Sequence, residues 1–486
     1  MLATWLVPPL VLLLLGGWLV SQEYSFWYDE LYTSEMVQVP TGDLVESVVR
    51  GEGTIPYLQD APPSYNGPYY LAARLWLSAT GLSPDETGLR LLSLVATAAA
   101  MVAFTCAVSR LAGRRVGLVA GLVAATNPFV AQYSAEARGY GLALLAVAVA
   151  AVGFARWLDG RPRALLVFGV AGAAAGLAHW FAFLVVVAFA VAGAVLRRPQ
   201  AWPLVAVTAA AGLPVVGIIG IAVANGVGAS GAEWIGGVGG AVPHLTLSAW
   251  TRGSTLLAVV TVLAAGAGLL APGPSGPLSG VVGPDRRSAR VVAACWVGVP
   301  VVLVTAAEVV RPVFVARYLL PATLGLAVLM ALGITRAPGK AAALAAVVVL
   351  GTSAWATAGD VDGGPREDVR AAVAAVATAH QAGQPVVAAA RWDALGVDHY
   401  TRRDHPGLVA DLVLPPAAPP SAATIWVVRR DATGVKGDPD KLTALDAELA
   451  TRGLRVVSEE LFEGHSADVL VQRWELRGQP PEAMAP

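Results

Sequence analysis

The chain has 486 residues, of which 56% are hydrophobic and only 14% charged, and its formal net charge is −1. This composition is too apolar for an ordinary soluble domain and predicts an α-helical polytopic membrane protein. It also argues against a nucleic-acid partner, because binding to phosphate backbones needs a clustered basic surface. Cys106 and Cys295 both lie inside apolar runs, so neither a disulfide framework nor a Cys-rich metal site is available.

Apolar runs suited to crossing about 30 Å of hydrocarbon, which takes roughly 20 residues, recur along the first three quarters of the chain. The first run lacks the basic start and the cleavage pattern of a signal peptide, so we interpret it as a retained helix. The segment 164–196 could be one kinked helix, but two short helices that meet at His179 agree better with the loop charges. The eleven predicted runs are Thr4–Val20, Gly88–Leu111, Val116–Val130, Gly139–Trp157, Ala164–Ala178, Phe181–Leu196, Trp202–Ala224, Ser254–Leu270, Val291–Ala307, Ala316–Ile334 and Ala341–Ala358.

The charges of the loops predict the orientation, because Lys and Arg near helix ends stay on the cytoplasmic side. With eleven helices, all the strongly basic loops fall on one side of the membrane. We therefore expect a multi-pass protein of the cell membrane with a cytoplasmic amino terminus and an extracytoplasmic carboxyl terminus. The basic loops contain Arg110, Arg114 and Arg115; Arg156, Arg161 and Arg163; Arg197 and Arg198; Arg286, Arg287 and Arg290; and Arg336 and Lys340.

The first extracytoplasmic loop, residues 22–87, is much longer than an ordinary connection, which predicts that it is structured and functional. Leu31–Arg50 and Tyr69–Leu82 carry apolar residues at helical spacing among polar ones. Both segments are therefore predicted to be amphipathic helices that lie in the membrane plane. Residues 1–358, including this loop, form the expected transmembrane catalytic module.

After Ala358 the charged residues return, and residues 359–486 are predicted to form an extracytoplasmic α/β domain. Helices are expected at Arg366–Gln381 and at Asp438–Arg452, the second capped by Asp438. The predicted strands are Pro385–Ala389, Ala423–Arg429, Leu454–Leu461 and Ala467–Glu475.

The motif Phe26-Trp27-Tyr28-Asp29-Glu30 follows the first predicted helix. Its aromatic residues are typical of a membrane interface, but an aromatic belt does not explain two adjacent acids. One alternative is that Asp29 and Glu30 only cap the next helix.

Other polar residues are predicted at the same outer ends of the helices. Each has a structural explanation of its own: Glu136 and Arg138 could form a loop ion pair, His179 could be a satisfied hairpin residue, and Arg317 could reach the lipid headgroups. Their common placement on one face favours a ligand instead. The full outer set is Asp29, Glu30, Asp60, Arg74, Arg90, Glu136, Arg138, Tyr140, His179, Glu308, Arg311, Arg317 and Tyr318.

The order of several local patterns over Thr4–Ala358 resembles glycosyltransferase family 39, the membrane glycosyltransferases of the GT-C fold that include protein O-mannosyltransferases and aminoarabinose transferases. The chain departs from relatives in the first loop, where a His-Pro-Pro-Leu-Tyr-Tyr type of segment is usual and no histidine stands here. The patterns are Phe26-Trp-Tyr-Asp-Glu, Asp60-Ala-Pro-Pro, Gly67-Pro-Tyr-Tyr-Leu-Ala-Ala-Arg-Leu-Trp, Leu89-Arg-Leu-Leu-Ser, Asn127-Pro-Phe, Glu136-Ala-Arg-Gly-Tyr, His179-Trp-Phe and Ala316-Arg-Tyr-Leu-Leu-Pro.

The resemblance implies transfer of a sugar from a polyprenyl-phosphate donor to an acceptor hydroxyl on the outer face of the membrane, with inversion. By position in the family motif, Asp29 is the expected general base, and Glu30 orients it, binds sugar hydroxyls or caps the helix. Mannose is preferred over arabinose, and the acceptor is a lipoglycan, a polysaccharide or a protein. The expected substrate-binding residues are Arg90, Glu136, Arg138, Tyr140, His179, Arg317 and Tyr318, with the arginines on the phosphate.

Two other functions stay open at this point. The first is a flippase or transporter of lipid-linked sugars, although such proteins place ionisable residues near the bilayer midplane and often show repeated halves. The second is a non-catalytic relative that binds cell-wall glycans. No cofactor is required by the sequence, and a divalent cation held by acids such as Asp29, Glu30, Asp60 and Glu136 is an open alternative.

Overall fold

The computed structural model describes residues 3–63, 66–226, 235–270, 285–362, 364–430 and 439–477. Two compact units can be distinguished by their internal contacts. The first comprises Met1–Gln22, Pro40–Gly51 and Pro63–Val361, and the second comprises Glu23–Val39, Glu52–Pro62 and Asp362–Pro486. The sequence assigned the whole first loop to the transmembrane module, whereas two segments of that loop group with the carboxyl-terminal domain.

Up to residue 362 the described chain is helical. Short 3₁₀ turns at Trp180–Ala182, Arg198–Gln200, Gly239–Ala241 and Ala316–Ala322 connect or precede the helices. The α-helices are α1 (Ala3–Val20), α2 (Tyr28–Met36), α3 (Thr41–Arg50), α4 (Gly67–Thr80), α5 (Glu86–Ala112), α6 (Arg114–Thr126), α7 (Pro128–Ser134), α8 (Tyr140–Leu158), α9 (Ala164–Ala178), α10 (Phe183–Leu196), α11 (Trp202–Ala224), α12 (Val242–Trp250), α13 (Thr255–Leu270), α14 (Arg286–Val310), α15 (Thr323–Ile334) and α16 (Gly339–Asp362).

Within the described residues, six helices are long and apolar enough to cross a membrane, or up to eight if each of two bent pairs is one span. The bent pairs are α6 with α7, at 65°, and the segment Gly239–Trp250 with α13, at 105°. Three shorter apolar helices, Trp5–Val20, Ala164–Ala178 and Trp180–Leu196, complete the match to the predicted runs. The polytopic helical class is therefore confirmed, while eleven as the number of spans stays a prediction, as does the orientation.

Asn127 joins the two bent pairs at their breaks. Its side-chain Oδ1 accepts hydrogen bonds from the backbone N–H groups of Phe129 and Val130, both at 3.1 Å, and so caps α7. Its Nδ2 donates to the carbonyl oxygen of Trp250, at the end of α12, at 3.1 Å. Pro128 at the first position of α7 favours the same helix start, because it has no N–H to satisfy there.

Pro40 divides the predicted helix Leu31–Arg50 into α2 and α3, because proline cannot continue a helix through its interior. Seven of the nine residues of α2 are buried within the protein, and its position relative to the membrane stays a prediction. Helix α3 is amphipathic, because its apolar residues recur at helical spacing. Leu44 is buried, whereas Val45 and Val49 are exposed.

The second unit contains a five-stranded mixed sheet in the order β2-β1-β3-β5-β4, which confirms the predicted α/β domain. Strand β1 pairs in parallel with β2 and β3, and β5 pairs antiparallel with β3 and β4. The strands are β1 (Val386–Ala388), β2 (Leu412–Val413), β3 (Thr424–Arg430), β4 (Leu454–Phe462) and β5 (Val469–Leu476), and the helices are α17 (Val369–Ala379), α18 (Arg391–Asp404) and α19 (Pro439–Thr451). The predicted cap Asp438 lies outside the described residues, and the sequence missed β2 and α18.

Candidate active site

In the first unit, the short connection between α7 and α8 places Arg138 in a buried position. Its Nη1 donates to the hydroxyl of Tyr70 on α4 at 3.2 Å. In the amide orientation that satisfies both groups, Asn66 Oδ1 accepts from Arg138 Nη2 at 2.5 Å. The carbonyl oxygen of Arg138 accepts from Ser93 Oγ on α5 at 3.1 Å. The guanidinium and the backbone of Arg138 are thus both fixed by neighbouring helices.

Gly139 allows this connection to approach the end of α9. A Cβ atom added to Gly139 would lie 2.4 Å from the carbonyl oxygen of Ala178 and 3.5 Å from Cβ of Tyr69. The backbone of Gly139 is in an ordinary conformation, with φ −64°, so only the lack of space requires glycine there. This close approach brings Arg138 and Tyr140 next to the residue that follows α9.

That residue is His179, which lies outside both apolar helices that it joins. Its extended backbone, with φ −161° and ψ 117°, ends α9 and starts the 3₁₀ turn Trp180–Ala182. Its imidazole ring centre lies 5.3 Å from that of Tyr140 and 5.2 Å from that of Tyr318. Burial, together with the positive charges of Arg138 and Arg317, lowers the pKa of His179 to about 3, so the ring is neutral at physiological pH.

Aromatic rings surround this histidine. Phe181 stacks on Tyr318 with ring centres 4.4 Å apart, and Tyr133 packs edge-on against Tyr140 at 4.8 Å. Two guanidinium groups and a neutral imidazole therefore share a region with aromatic walls. Of the predicted substrate-binding residues, the structure brings together Arg138, Tyr140, His179, Arg317 and Tyr318.

Arg90, on α5, and Glu136, in the connection before α8, are buried in the same unit. Glu308 has a structural role that the sequence did not reveal. Its carboxylate accepts backbone hydrogen bonds from Val238, Val313 and Phe314, each at 2.8 Å. It therefore ties two loop segments to the end of α14.

In the second unit, Asp29 and Glu30 occupy the first turn of α2 and are both buried. The N-cap residue is Trp27, which makes no side-chain capping hydrogen bond, so neither acid is the cap itself. Acids in a first helical turn still interact favourably with the helix dipole. That interaction does not need buried side chains, so it does not explain why Asp29 and Glu30 are buried.

Asp29 lies near a charged cluster that sequence reasoning missed, formed by Glu367, Asp393 and Arg430. Arg430 donates from Nε to Asp393 Oδ1 at 3.0 Å and from Nη1 to Glu367 Oε1 at 3.4 Å. Burial raises the pKa of Glu367, Arg430 opposes this, and the negative charges of Asp393 and Asp29 add to the rise. Burial also raises the pKa of Asp393, against the effect of Arg430. The only sequence signal was a pair of arginines at the end of a buried strand.

Among the described parts of the chain, no group of three or more His, Cys, Asp or Glu side chains is placed to hold a metal ion. Asp60, one of the acids considered for such a site, pairs with Arg391 at 2.6 Å.

No protein-family model matches the sequence, and no curated protein matches it. Among solved structures, the chain is similar to ArnT from Cupriavidus metallidurans in the apo state, with a TM-score of 0.53 and 13% identity over 97% of this chain and 96% of that chain. ArnT from the same organism bound to undecaprenyl phosphate gives a TM-score of 0.49 at 13% identity, over 97% of this chain and 96% of that one. The archaeal oligosaccharyltransferase AglB from Archaeoglobus fulgidus, in complex with an inhibitory peptide and a dolichol-phosphate, gives 0.47 at 13% identity, over 85% of this chain and 64% of that one. The likeness to apo ArnT shows a shared fold, which confirms the predicted GT-C type.

Proposed function

We propose that this protein is a membrane glycosyltransferase that moves a sugar from a polyprenyl-phosphate donor to an acceptor hydroxyl. The observation that carries the proposal is the group around His179. The positive charges of Arg138 and Arg317 both lower the pKa of this imidazole, which lies between the rings of Tyr140 and Tyr318. A phosphate leaving group gains negative charge as its bond to the sugar breaks, and guanidinium groups stabilise that charge. The fold shared with ArnT agrees with this proposal.

In this proposal Arg138 and Arg317 bind the donor phosphate. His179, Tyr140 and Tyr318 surround it, and the neutral histidine offers a hydrogen bond without a further charge. Arg90 and Glu136, which we also propose as substrate-binding residues, supply further polar contacts.

Asp29 is the proposed general base. The acceptor oxygen attacks the anomeric carbon while its proton passes to the carboxylate of Asp29, and the polyprenyl phosphate leaves with the electron pair of the broken carbon–oxygen bond. Such a base typically contributes a factor of about 10² to 10⁴ to the rate. This direct displacement inverts the anomeric centre. Glu30, in the same helical turn, orients Asp29 or binds sugar hydroxyls.

We place the reaction at the outer face of the cell membrane, with a cytoplasmic amino terminus, on the basis of the loop charges. Mannose is the preferred sugar and arabinose the alternative, and the acceptor is a lipoglycan, a polysaccharide or a protein. A screen of radiolabelled polyprenyl-phosphate mannose and arabinose against these three acceptor classes decides between them. Running it with and without EDTA decides whether a divalent cation takes part.

The test of the proposal is Asp29→Asn, assayed for transfer of radiolabelled sugar by the purified full chain in detergent. We expect transfer to fall by a factor of about 10² or more, because the amide cannot accept the proton. Asp43→Asn is the matched control, since Asp43 also lies in the first turn of a helix but is exposed, and it should transfer like the wild type.

Detergent removes sealed membrane sides, so a covalent product from the wild type contradicts a function limited to transport. A wild type that binds glycan but forms no product contradicts the enzyme itself. Transfer by Asp29→Asn at the wild-type rate contradicts the role of Asp29 as base.

A further inference from the structure

The backbone leading into Asp29 is held by the carboxyl-terminal domain within the second unit. Ser25 Oγ donates to the carbonyl oxygen of Glu367 at 2.5 Å. The backbone N–H of Phe26 donates to the hydroxyl of Tyr400 at 2.6 Å, and Tyr400 is fully buried. These partners lie 342 and 374 residues apart in the chain, so the contacts come from the tertiary structure.

The aromatic side chains before Asp29 are held in the same way. The guanidinium carbon of Arg366 lies 4.3 Å from the ring centre of Trp27. Tyr28 packs edge-on against Trp392, with ring centres 5.2 Å apart. A cation over an aromatic face and an edge-to-face ring pair are both attractive. Trp27 and Tyr28 are therefore fixed directly before the proposed base.

Arg430 connects these contacts. Its guanidinium carbon lies 5.6 Å from the ring centre of Tyr28, and its nitrogens bind the carboxylates of Glu367 and Asp393. Glu367 in turn holds Ser25 through its backbone carbonyl. The side chains of Glu367 and Asp393 are each only 6% exposed, and Arg430 is the cation that both carboxylates share.

We propose that the carboxyl-terminal domain is part of the catalytic machinery, and that Arg430 is the positioning residue that holds Ser25–Tyr28 and thereby the carboxylate of Asp29. The inference rests on the proposed role of Asp29 as the base. Arg430 acts through Tyr28 and Glu367 and does not itself touch the substrate. Loss of its charge leaves two buried carboxylates without their shared cation, and the segment before Asp29 loosens.

Arg430→Met tests this inference in the full-length protein. We expect kcat for transfer from radiolabelled polyprenyl-phosphate mannose or arabinose to fall about 10- to 100-fold, because small misplacements of a catalytic group cost this much. The KM for the donor should change less than about twofold, since the proposed phosphate ligands are untouched. Hydrogen exchange of a peptide covering residues 24–31, measured by mass spectrometry, should become faster.

Arg429→Met is the matched control. Arg429 precedes Arg430 on β3 and forms its own ion pair with Asp446 on α19, at 2.9 Å, so it should affect neither kcat nor the exchange of residues 24–31. Arg430→Lys should have a kcat between those of the wild type and Arg430→Met. An ammonium keeps the positive charge but lacks the planar guanidinium whose separate nitrogens bind the two carboxylates. If Arg430→Met proves unstable, Tyr400→Phe removes only the hydroxyl that accepts from Phe26, and it should speed exchange at that segment and lower kcat.

The inference is overturned if Arg430→Met keeps the wild-type kcat, if Arg429→Met loses as much, or if kcat falls while exchange of residues 24–31 is unchanged. Asp29→Asn, assayed in parallel, separates this failure from that of the proposed function. An active Asp29→Asn variant contradicts the role of Asp29 as base. An inactive Asp29→Asn variant beside a fully active Arg430→Met variant contradicts only the positioning role of Arg430.

Discussion

Gly139→Ala perturbs the group around His179 by a single methyl group. The new Cβ would stand 2.4 Å from the carbonyl oxygen of Ala178, about 1 Å short of the 3.4 Å at which ordinary contacts begin. Backbone lies on both sides, so the end of α9 and the start of α8 must move apart by about that distance. Misplacement of catalytic or binding groups by 1 Å can cost about 10²-fold in rate, and overpacking costs about 1 to 3 kcal/mol of stability.

We therefore expect Gly139→Ala to lower sugar transfer by roughly 10²-fold and to lower the midpoint of thermal unfolding. Donor transfer by the purified protein and differential scanning fluorimetry measure the two effects. Gly217→Ala is the control, since Gly217 lies within α11 and an added Cβ meets nothing within 4 Å, so this variant should be neutral or slightly stabilised. Wild-type transfer and stability in Gly139→Ala would refute the argument that close approach at Gly139 builds the site.

Two further predictions concern charged groups. Because the pKa of Glu367 is raised in the folded protein, the stability it contributes is fully present below its ordinary value of 4.5 and is lost as the pH rises through the raised value. Glu367→Gln should therefore flatten the fall in unfolding temperature as the pH rises above about 4.5, without removing it, since Asp393 titrates in the same direction. An unchanged pH profile would contradict this. Glu308→Gln should cost about 1 to 3 kcal/mol in thermal or denaturant unfolding. The amide carries no charge and accepts through one atom only, so at least one of the three backbone N–H groups loses its acceptor. Unaltered stability would show that these bonds contribute nothing.

Local sequence patterns predicted most of the helices, because apolar runs and turn residues act over short distances. The bounds predicted for α9 and α11 agree with the structure. Helix α18 was missed because Gly396 interrupts its pattern. A Cβ there would lie 2.8 Å from a methyl of Val369, so glycine serves close packing and not a turn.

The site was predicted less completely than the helices. Alternating loops placed His179 and Tyr318 on one face, since basic loops mark the opposite face, and the structure brings their rings together. The partners of the Asp29 segment could not be found in this way. Glu367 and Tyr400 are more than 340 residues from Ser25 and Phe26, and nothing in a local pattern signals a contact across that separation.

The cluster of Glu367, Asp393 and Arg430 is better explained by function than by stability. Two nearly buried carboxylates share one guanidinium, and both have raised pKa values, so their ionised forms cost the folded state free energy at neutral pH. Buried ion clusters are often replaced by apolar side chains without loss of stability. A cluster that stabilises little but holds both the hydroxyl of Ser25 and the ring of Tyr28 supplies orientation, and orientation of a base is what a displacement at the anomeric carbon requires. The cost in stability and the proposed positioning of Asp29 therefore have the same physical origin.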